Sequence, residues 1–150
     1  MLYAVRDDQV LLIEKKRGLG AGKVNGPGGR VEAGEHPHEA AIREFEEELR
    51  ATPTGVQKRG ELWFHVIDGP AIRIHVFRAS DCAGQPQETP EAVPLWIRAD
   101  ALPYDRMWAD DRHWFPLLLD GRMFEVRSIF DEDRLLSCEL EEKNPHHVWP

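Results

Sequence analysis

The chain opens on two short apolar runs, Leu2 to Val5 and Gln9 to Glu14, separated by Arg6-Asp7-Asp8. That pattern predicts two strands joined as a hairpin. Gly18 to Gly29 is dense in glycine and shows no period, which predicts a loop. From Pro37, a residue suited to a first helical turn, the spacing becomes helical and continues to about Arg50, before Pro53 ends it. On that helix Ile42, Phe45 and Leu49 form one stripe, and Glu44, Glu47 and Glu48 another. Val56 to Asp68 and Ala71 to Ala79 predict strands around the turn Asp68-Gly69-Pro70, and Val93 to Ile97 predicts another. A second helix is expected from about Asp110 to Asp120-Gly121, irregular because of Pro116. Arg122 to Phe130 and Leu135 to Leu140 complete the strands, around Asp131-Glu132-Asp133. Strands outnumber helices and mostly follow one another, so the expected class is α/β, a mixed sheet flanked by helices. We expect one domain over residues 1–140, then a tail over 141–150 read as disordered, with His146-His147 solvated.

The acidic stripe changes the picture most. Like charges three and four residues apart destabilise a helix unless something neutralises them. Hard divalent cations such as Mg²⁺ take carboxylate oxygens and leave positions for water and substrate phosphates. The stripe also follows a tight turn, Gly26-Pro27-Gly28-Gly29, at fixed distances. Five residues separate Gly29 from Glu35, and seven separate Glu35 from Arg43-Glu44; Phe45, one further residue and Glu47-Glu48 follow. A merely solvated acidic face would explain the glutamates, but not the glycine turn, Glu35 and Arg43 at those offsets. A dinucleotide-binding reading of the glycines fails on spacing.

This spacing resembles the signature of the Nudix hydrolases, with Arg50 and Ala51 standing where the signature has glycine and a larger aliphatic residue. The resemblance implies the Nudix fold, a mixed β-sheet in an α/β/α sandwich, and cleavage of a phosphoanhydride in a nucleoside diphosphate derivative. It implies Mg²⁺ as cofactor, with Mn²⁺ as a substitute. By the same resemblance Glu44 and Glu48 are metal ligands, the Gly29 carbonyl adds another, and Glu47 completes the shell or orients the attacking water. Arg43 holds a carboxylate in place, and Glu35 is its structural partner. Beyond the helix, Glu91, with Glu88 in reserve, matches the loop glutamate that reaches the metals; the resemblance leaves open which glutamate is the general base.

Further segments are similar to the branch that hydrolyses oxidised purine nucleotides, 8-oxo-dGTP and 2-hydroxy-dATP. They are Lys15-Lys16-Arg17-Gly18, Gly20 to Lys23, Asn25-Gly26, Ile74 to Phe77, and Met107 to Asp111 with Trp114 to Leu119. The resemblance places Asn25, Trp108, Asp110 and Asp111 around the base. Asn25 can donate and accept hydrogen bonds, Trp108 offers a stacking face, and adjacent aspartates in a dry pocket titrate apart. Against this, an aspartate before an amphipathic run is often only a helix cap, and Trp108, Trp63 and Trp114 can be core residues. Leu19 and Pro27 stand where relatives carry aromatics, and Trp63 and His65 where they carry phenylalanines, so Leu19 and Trp63 are expected in the pocket wall. Because the chain begins several residues late, an N-terminal polar contact to the base is expected to be missing. Lys15 and Lys23, in a basic segment with Lys16 and Arg17, are candidate phosphate partners.

Composition adds limits. A length of 150 residues, with 41% hydrophobic and 31% charged, suits one ordinary globular core. A net charge of −8 argues against a nucleic-acid polymer as partner and repels a polyphosphate at long range, so local cations must reverse the sign in the pocket. Two cysteines, Cys82 and Cys138, without framework spacing suit a reducing, cytoplasmic setting. No apolar run reaches membrane-spanning length. The expected partner is a nucleoside triphosphate, and either a monomer or a dimer is compatible with the sequence. Two other readings compete: a Nudix hydrolase of broader specificity (normal nucleotides, ADP-ribose, dinucleoside polyphosphates), and a nucleotide-sensing module without turnover. Intact carboxylates at Glu44, Glu47 and Glu48 argue against the sensor, which needs no activated water.

Overall fold

A computed structural model describes residues 1–150. The chain forms β1 (Leu2–Arg6), β2 (Gln9–Lys15), β3 (Val24–Asn25), α1 (Pro37–Leu49), β4 (Thr52–Thr54), β5 (Gln57–Val66) and β6 (Ala71–Ala79). It continues through β7 (Asp81–Ala83), β8 (Ala92–Arg98), a 3-10 turn (Tyr104–Arg106), α2 (Asp111–Leu119), β9 (Met123–Asp131) and β10 (Arg134–Lys143).

The main sheet is mixed. β10, β9, β5, β6 and β1 lie side by side, with β1 parallel to β6 and β5 parallel to β9. β1 and β3 then share one edge of β2 in succession, at Val5↔Val10 and Ile13↔Asn25, while β8 runs antiparallel along the opposite edge. β4 and β7 make a separate two-stranded ribbon.

Alternation along the strands builds a core on each side of the sheet. Leu2, Ala4, Leu11, Ile13 and Phe77 pack with Ala41, Phe45 and Leu49 of α1. Tyr3, Val10, Leu12, Leu62, Val76, Phe124 and Val126 pack with Trp114, Phe115 and Leu118 of α2. This is the expected sandwich.

Several boundaries differ from the sequence reading. The Gly18 to Gly29 loop contains β3, because Val24 and Asn25 pair with Glu14 and Ile13. α1 ends before Pro53: Arg50 takes a left-handed conformation (φ 56°) and its N–H donates to the Glu46 carbonyl at 2.8 Å. Such a turn suits glycine, and an arginine there costs roughly 1 kcal/mol. Pro53 itself lies in β4. Pro116 sits inside α2 rather than at an irregular start. The ordered chain also continues past Leu140, since Glu141, Glu142 and Lys143 pair with Glu125, Phe124 and Met123 of β9. Further on, the Lys58 ammonium lies 4.6 Å from the Trp149 ring centre, so the tail is not free of the domain. No helix is long and apolar enough to cross a membrane, and both cysteines are free thiols.

Candidate active site

α1 presents its carboxylates to the turn before it. Gly29 lies so close to Glu44 that a β-carbon there would overlap the Glu44 carboxyl group. The Gly28 N–H donates to Glu48 Oε2 at 3.3 Å. Glycine at 29 thus lets the backbone meet Glu44, while glycine at 28 leaves room for Met1. Arg43 organises the group. Its Nε and Nη2 donate to the two oxygens of Glu35 at 2.8 and 3.0 Å, and its Nη1 donates to Glu44 at 2.8 Å and to Glu47 at 3.4 Å. The Arg43 hydrogen bonds and one from the Glu32 N–H hold the Glu35 carboxyl down to about 2. Glu48 behaves oppositely. Burial, then the neighbouring Glu44 charge, pushes it up to about 7.

The expected cage of carboxylates is not preformed. No three of the histidine, cysteine, aspartate and glutamate side chains converge enough to surround an ion. Glu44 and Glu48 meet at the glycine turn, whereas Glu47 stays exposed and Glu91 forms an ion pair with Arg17. That pair lowers the Glu91 pKa through its hydrogen bond. Even so, Glu91 is close enough to raise Glu48, and the Thr89 hydroxyl ties its loop to the Glu48 carbonyl at 2.7 Å. Glu88 pairs with Lys16 instead.

A cavity of about 690 Å³ runs from this turn to the far side of the sheet. Gly28, Gly29 and Arg30 line it at one end, and Trp108, Asp110 and Asp111 at the other; Lys15, Leu19 and Asn25 lie along its wall. Trp108 packs edge-on against Phe64 and Phe130, with ring centres 4.9 and 5.3 Å away. The Lys23 ammonium sits 4.9 Å from the centre of its ring. Gly20, at φ +82°, carries the loop across the Trp108 indole. Asn25 turns its amide oxygen to the Gly26 N–H at 2.8 Å.

Asp110 and Asp111 are 1% and 4% exposed. Asp110 stands at the N-cap of α2 but makes no capping hydrogen bond, so the capping role fails. Its Oδ2 accepts from the Ser128 hydroxyl at 3.0 Å, while Asp110 Oδ1 and Asp111 Oδ2 are buried without partners. Burial raises both pKa values, that of Asp111 further because the Asp110 charge lies beside it. Burial and their mutual repulsion both favour a proton on one of the two carboxyl groups.

Trp63 does not join this site. Side chains alternate along β5, so Leu62 and Phe64 face the cavity while Trp63 faces the opposite side, between Arg73 and Arg127 at 5.1 and 5.2 Å. Phe64 is the aromatic wall that the sequence reading missed, displaced by one residue. Had the period-two pattern been continued from Leu62, it would have identified Phe64. Arg73 and Lys58 instead secure Glu61, which is 3% exposed, at 2.7 and 2.5 Å. Burial opposes the Glu61 charge, and the hydrogen bonds from Lys58 and Arg73 outweigh it and lower its pKa. Ser128 was also missed, and a lone serine on a strand carries no sequence signal.

The NUDIX domain family matches residues 1–118. The oxidized purine nucleoside triphosphate hydrolase of Danio rerio is 42% identical over 125 residues, covering 83% of this chain and 80% of that protein. The protein of the same name from Mus musculus is 38% identical over 144 residues, covering 95% of this chain and 92% of its own. Among solved structures, the mMutator MutT protein from Bacillus halodurans superposes with a TM-score of 0.81 at 28% identity, over 93% of this chain and 94% of that one.

Proposed function

The chain belongs to the Nudix family, and from that premise we propose that it hydrolyses oxidised purine nucleoside triphosphates to the monophosphate and pyrophosphate. The substrates are of the 8-oxo-dGTP and 2-hydroxy-dATP type, the cofactor is Mg²⁺, replaceable by Mn²⁺, and the setting is the cytoplasm. One observation carries this reading: an aromatic cavity lined by a buried aspartate pair is also lined by Gly28 and Gly29, the turn that touches Glu44 and Glu48 of α1.

Hydrolases of this family use a divalent cation, and the residues suit one. Glu44 and Glu48 are hard oxygen donors, and the raised pKa of Glu48 marks a carboxylate short of positive charge. Glu44, Glu48 and the Gly29 carbonyl would hold such a cation, which would supply charge neutralisation for the phosphate oxygens and acidify a bound water. The chain does the rest. Arg43 fixes Glu44. Lys15 lines the cavity between its two ends and offsets the repulsion expected from a net charge of −8. Glu47, exposed and held only at 3.4 Å by Arg43, takes the proton of the attacking water. Glu91, paired with Arg17 and close enough to Glu48 to feel its charge, is the further candidate ligand for that cation. Trp108 and Phe64 hold the purine by its faces and edges, and Asn25, Asp110 and Asp111 read its polar rim.

The test is a product panel. The protein is incubated with 8-oxo-dGTP, 2-hydroxy-dATP, dGTP, ADP-ribose and a dinucleoside polyphosphate, and kcat/KM and products are determined. We expect monophosphate and pyrophosphate, with the oxidised purines favoured by tenfold or more. Equal turnover of dGTP and 8-oxo-dGTP overturns the substrate assignment and leaves a broader hydrolase.

A further inference from the structure

The buried aspartates are chemically alike, yet their surroundings differ at one atom. β9 places Ser128, 2% exposed, directly behind Asp110. Its hydroxyl lies 3.0 Å from Asp110 Oδ2 and 3.8 Å from the Cys138 sulfur. A serine hydroxyl has a single hydrogen, and a carboxylate oxygen is a far better acceptor than a thiol sulfur. The hydrogen therefore goes to Asp110. Asp111 has no hydroxyl partner: the Trp108 backbone N–H and the Trp114 indole N–H lie near its carboxyl group and favour its charge, but its Oδ2 and the indole nitrogen are both buried without a hydrogen bond of good geometry. The other titratable groups around the pair, Tyr3 of β1, Lys23 of the loop, Tyr104 of the 3-10 turn and His113 of α2, make no side-chain hydrogen bond to either carboxyl group.

We propose that Ser128 is a specificity-determining positioning residue. By donating to Asp110 it keeps Asp110 the acceptor of the pair and leaves the role of donor to Asp111, so that the cavity reads one fixed pattern on the purine edge. This inference rests on the function proposed above and deepens it. A 6-oxopurine offers an acceptor at C6 beside a ring N–H donor. A 6-aminopurine offers the reverse, a donor at C6 beside a ring acceptor. If the proton can move freely between two aspartates, both edges are satisfied. If it is fixed, one edge is matched and the other leaves polar groups unpaired in a dry pocket. Sites built around hydrogen bonds reject such mismatches strongly.

The experiment measures kcat/KM for 8-oxo-dGTP and 2-hydroxy-dATP, as a 6-oxo and 6-amino pair, with the unmodified protein, Ser128→Ala and Ser128→Thr. The unmodified protein should favour one substrate by at least about tenfold. Ser128→Ala should move that ratio toward unity by at least about fivefold, chiefly by improving the disfavoured substrate relative to the favoured one. Ser128→Thr, which keeps the hydroxyl, should retain the original ratio. If Ser128→Ala does not fold, Ser128→Cys, nearly isosteric and a weak donor, takes its place with the same expected shift. A ratio unchanged within twofold while both kcat/KM values fall together makes Ser128 a packing residue and overturns the inference. Equal kcat/KM on both substrates in the unmodified protein also overturns it. Failure of the proposed function reads differently: neither oxidised purine is then preferred to dGTP.

Discussion

The protein gathers carboxyl groups in two places and treats them in opposite ways. Around α1 most lie at the surface or at its edge, and cations answer them: Arg43 for Glu35, Glu44 and Glu47, and Arg17 for the loop residue Glu91, while the buried Glu48 is left without a salt bridge. At the start of α2 they are sealed beneath aromatic rings with no salt bridge, and protons answer them instead. An exposed acid is cheap to ionise and suits a site that must attract a metal cation. Burial favours the protonated form of a carboxyl group, which can donate a hydrogen bond to a base. Location, and not residue type, assigns the chemistry.

Four substitutions or titrations sharpen or break that contrast. The largest effect is expected from Glu48→Gln, which removes a metal-binding charge. Turnover should fall by about 10²–10³-fold or more, the range typical for losing one electrostatic stabiliser of a transition state, while nucleotide binding measured by calorimetry persists. Unimpaired turnover would mean that the α1 carboxylates are not the reactive end. Next comes Asp110→Asn, which removes the acceptor that Ser128 supports. We expect kcat/KM on the favoured purine to drop about 10- to 100-fold, with a smaller loss for Asp111→Asn, whose amide preserves a donor. Equal losses would contradict distinct roles for the two.

The third is a titration. The Glu48 pKa of about 7 in the folded protein lies above its ordinary 4.5, so the folded state binds this proton more tightly than the unfolded chain. Its contribution to stability is complete below about pH 4.5 and is lost as pH rises through about 7. In chelator, denaturant unfolding should show the unmodified protein losing on the order of 2 kcal/mol relative to Glu48→Gln between about pH 5 and pH 8. Saturating Mg²⁺ should remove most of that difference. The smallest effect is expected for Trp63→Ala. With Trp63 on the face away from the cavity, KM for the triphosphate should change less than twofold, whereas Phe64→Ala should raise it about 5- to 100-fold, in line with the value of base–aromatic contacts.

The contacts between α1 and the glycine turn were legible in the sequence, because these residues are neighbours along one helix and one turn, where spacing is geometry, whereas the expected gathering of Glu47 and Glu91 with them is not found. Gly29, Glu35, Arg43, Glu44 and Glu48 interact as their offsets required. The base end was legible only in part. Trp108, Asp110 and Asp111 are local, but Phe64 and Ser128 arrive from β5 and β9, and their relation to Asp110 depends on strand register. A register error of one residue is what put Trp63 in place of Phe64. The ion pair of Arg17 with Glu91 spans 74 positions and was equally invisible to local patterns. The fold class followed from strand count and order, while the end of β10 did not, because its charged residues pair at the sheet edge without an apolar period.

β1 has a consequence for how the molecule is made. It is only five residues long, yet it sends Leu2 and Ala4 into one core and Tyr3 into the other, and its parallel partner β6 begins nearly seventy positions later. During synthesis β1 must therefore wait, unpaired on that side, until β6 has been made. Closing so long a loop is entropically slow, so refolding should be limited by docking of this N-terminal ribbon, with both halves of the catalytic machinery maturing in one late step.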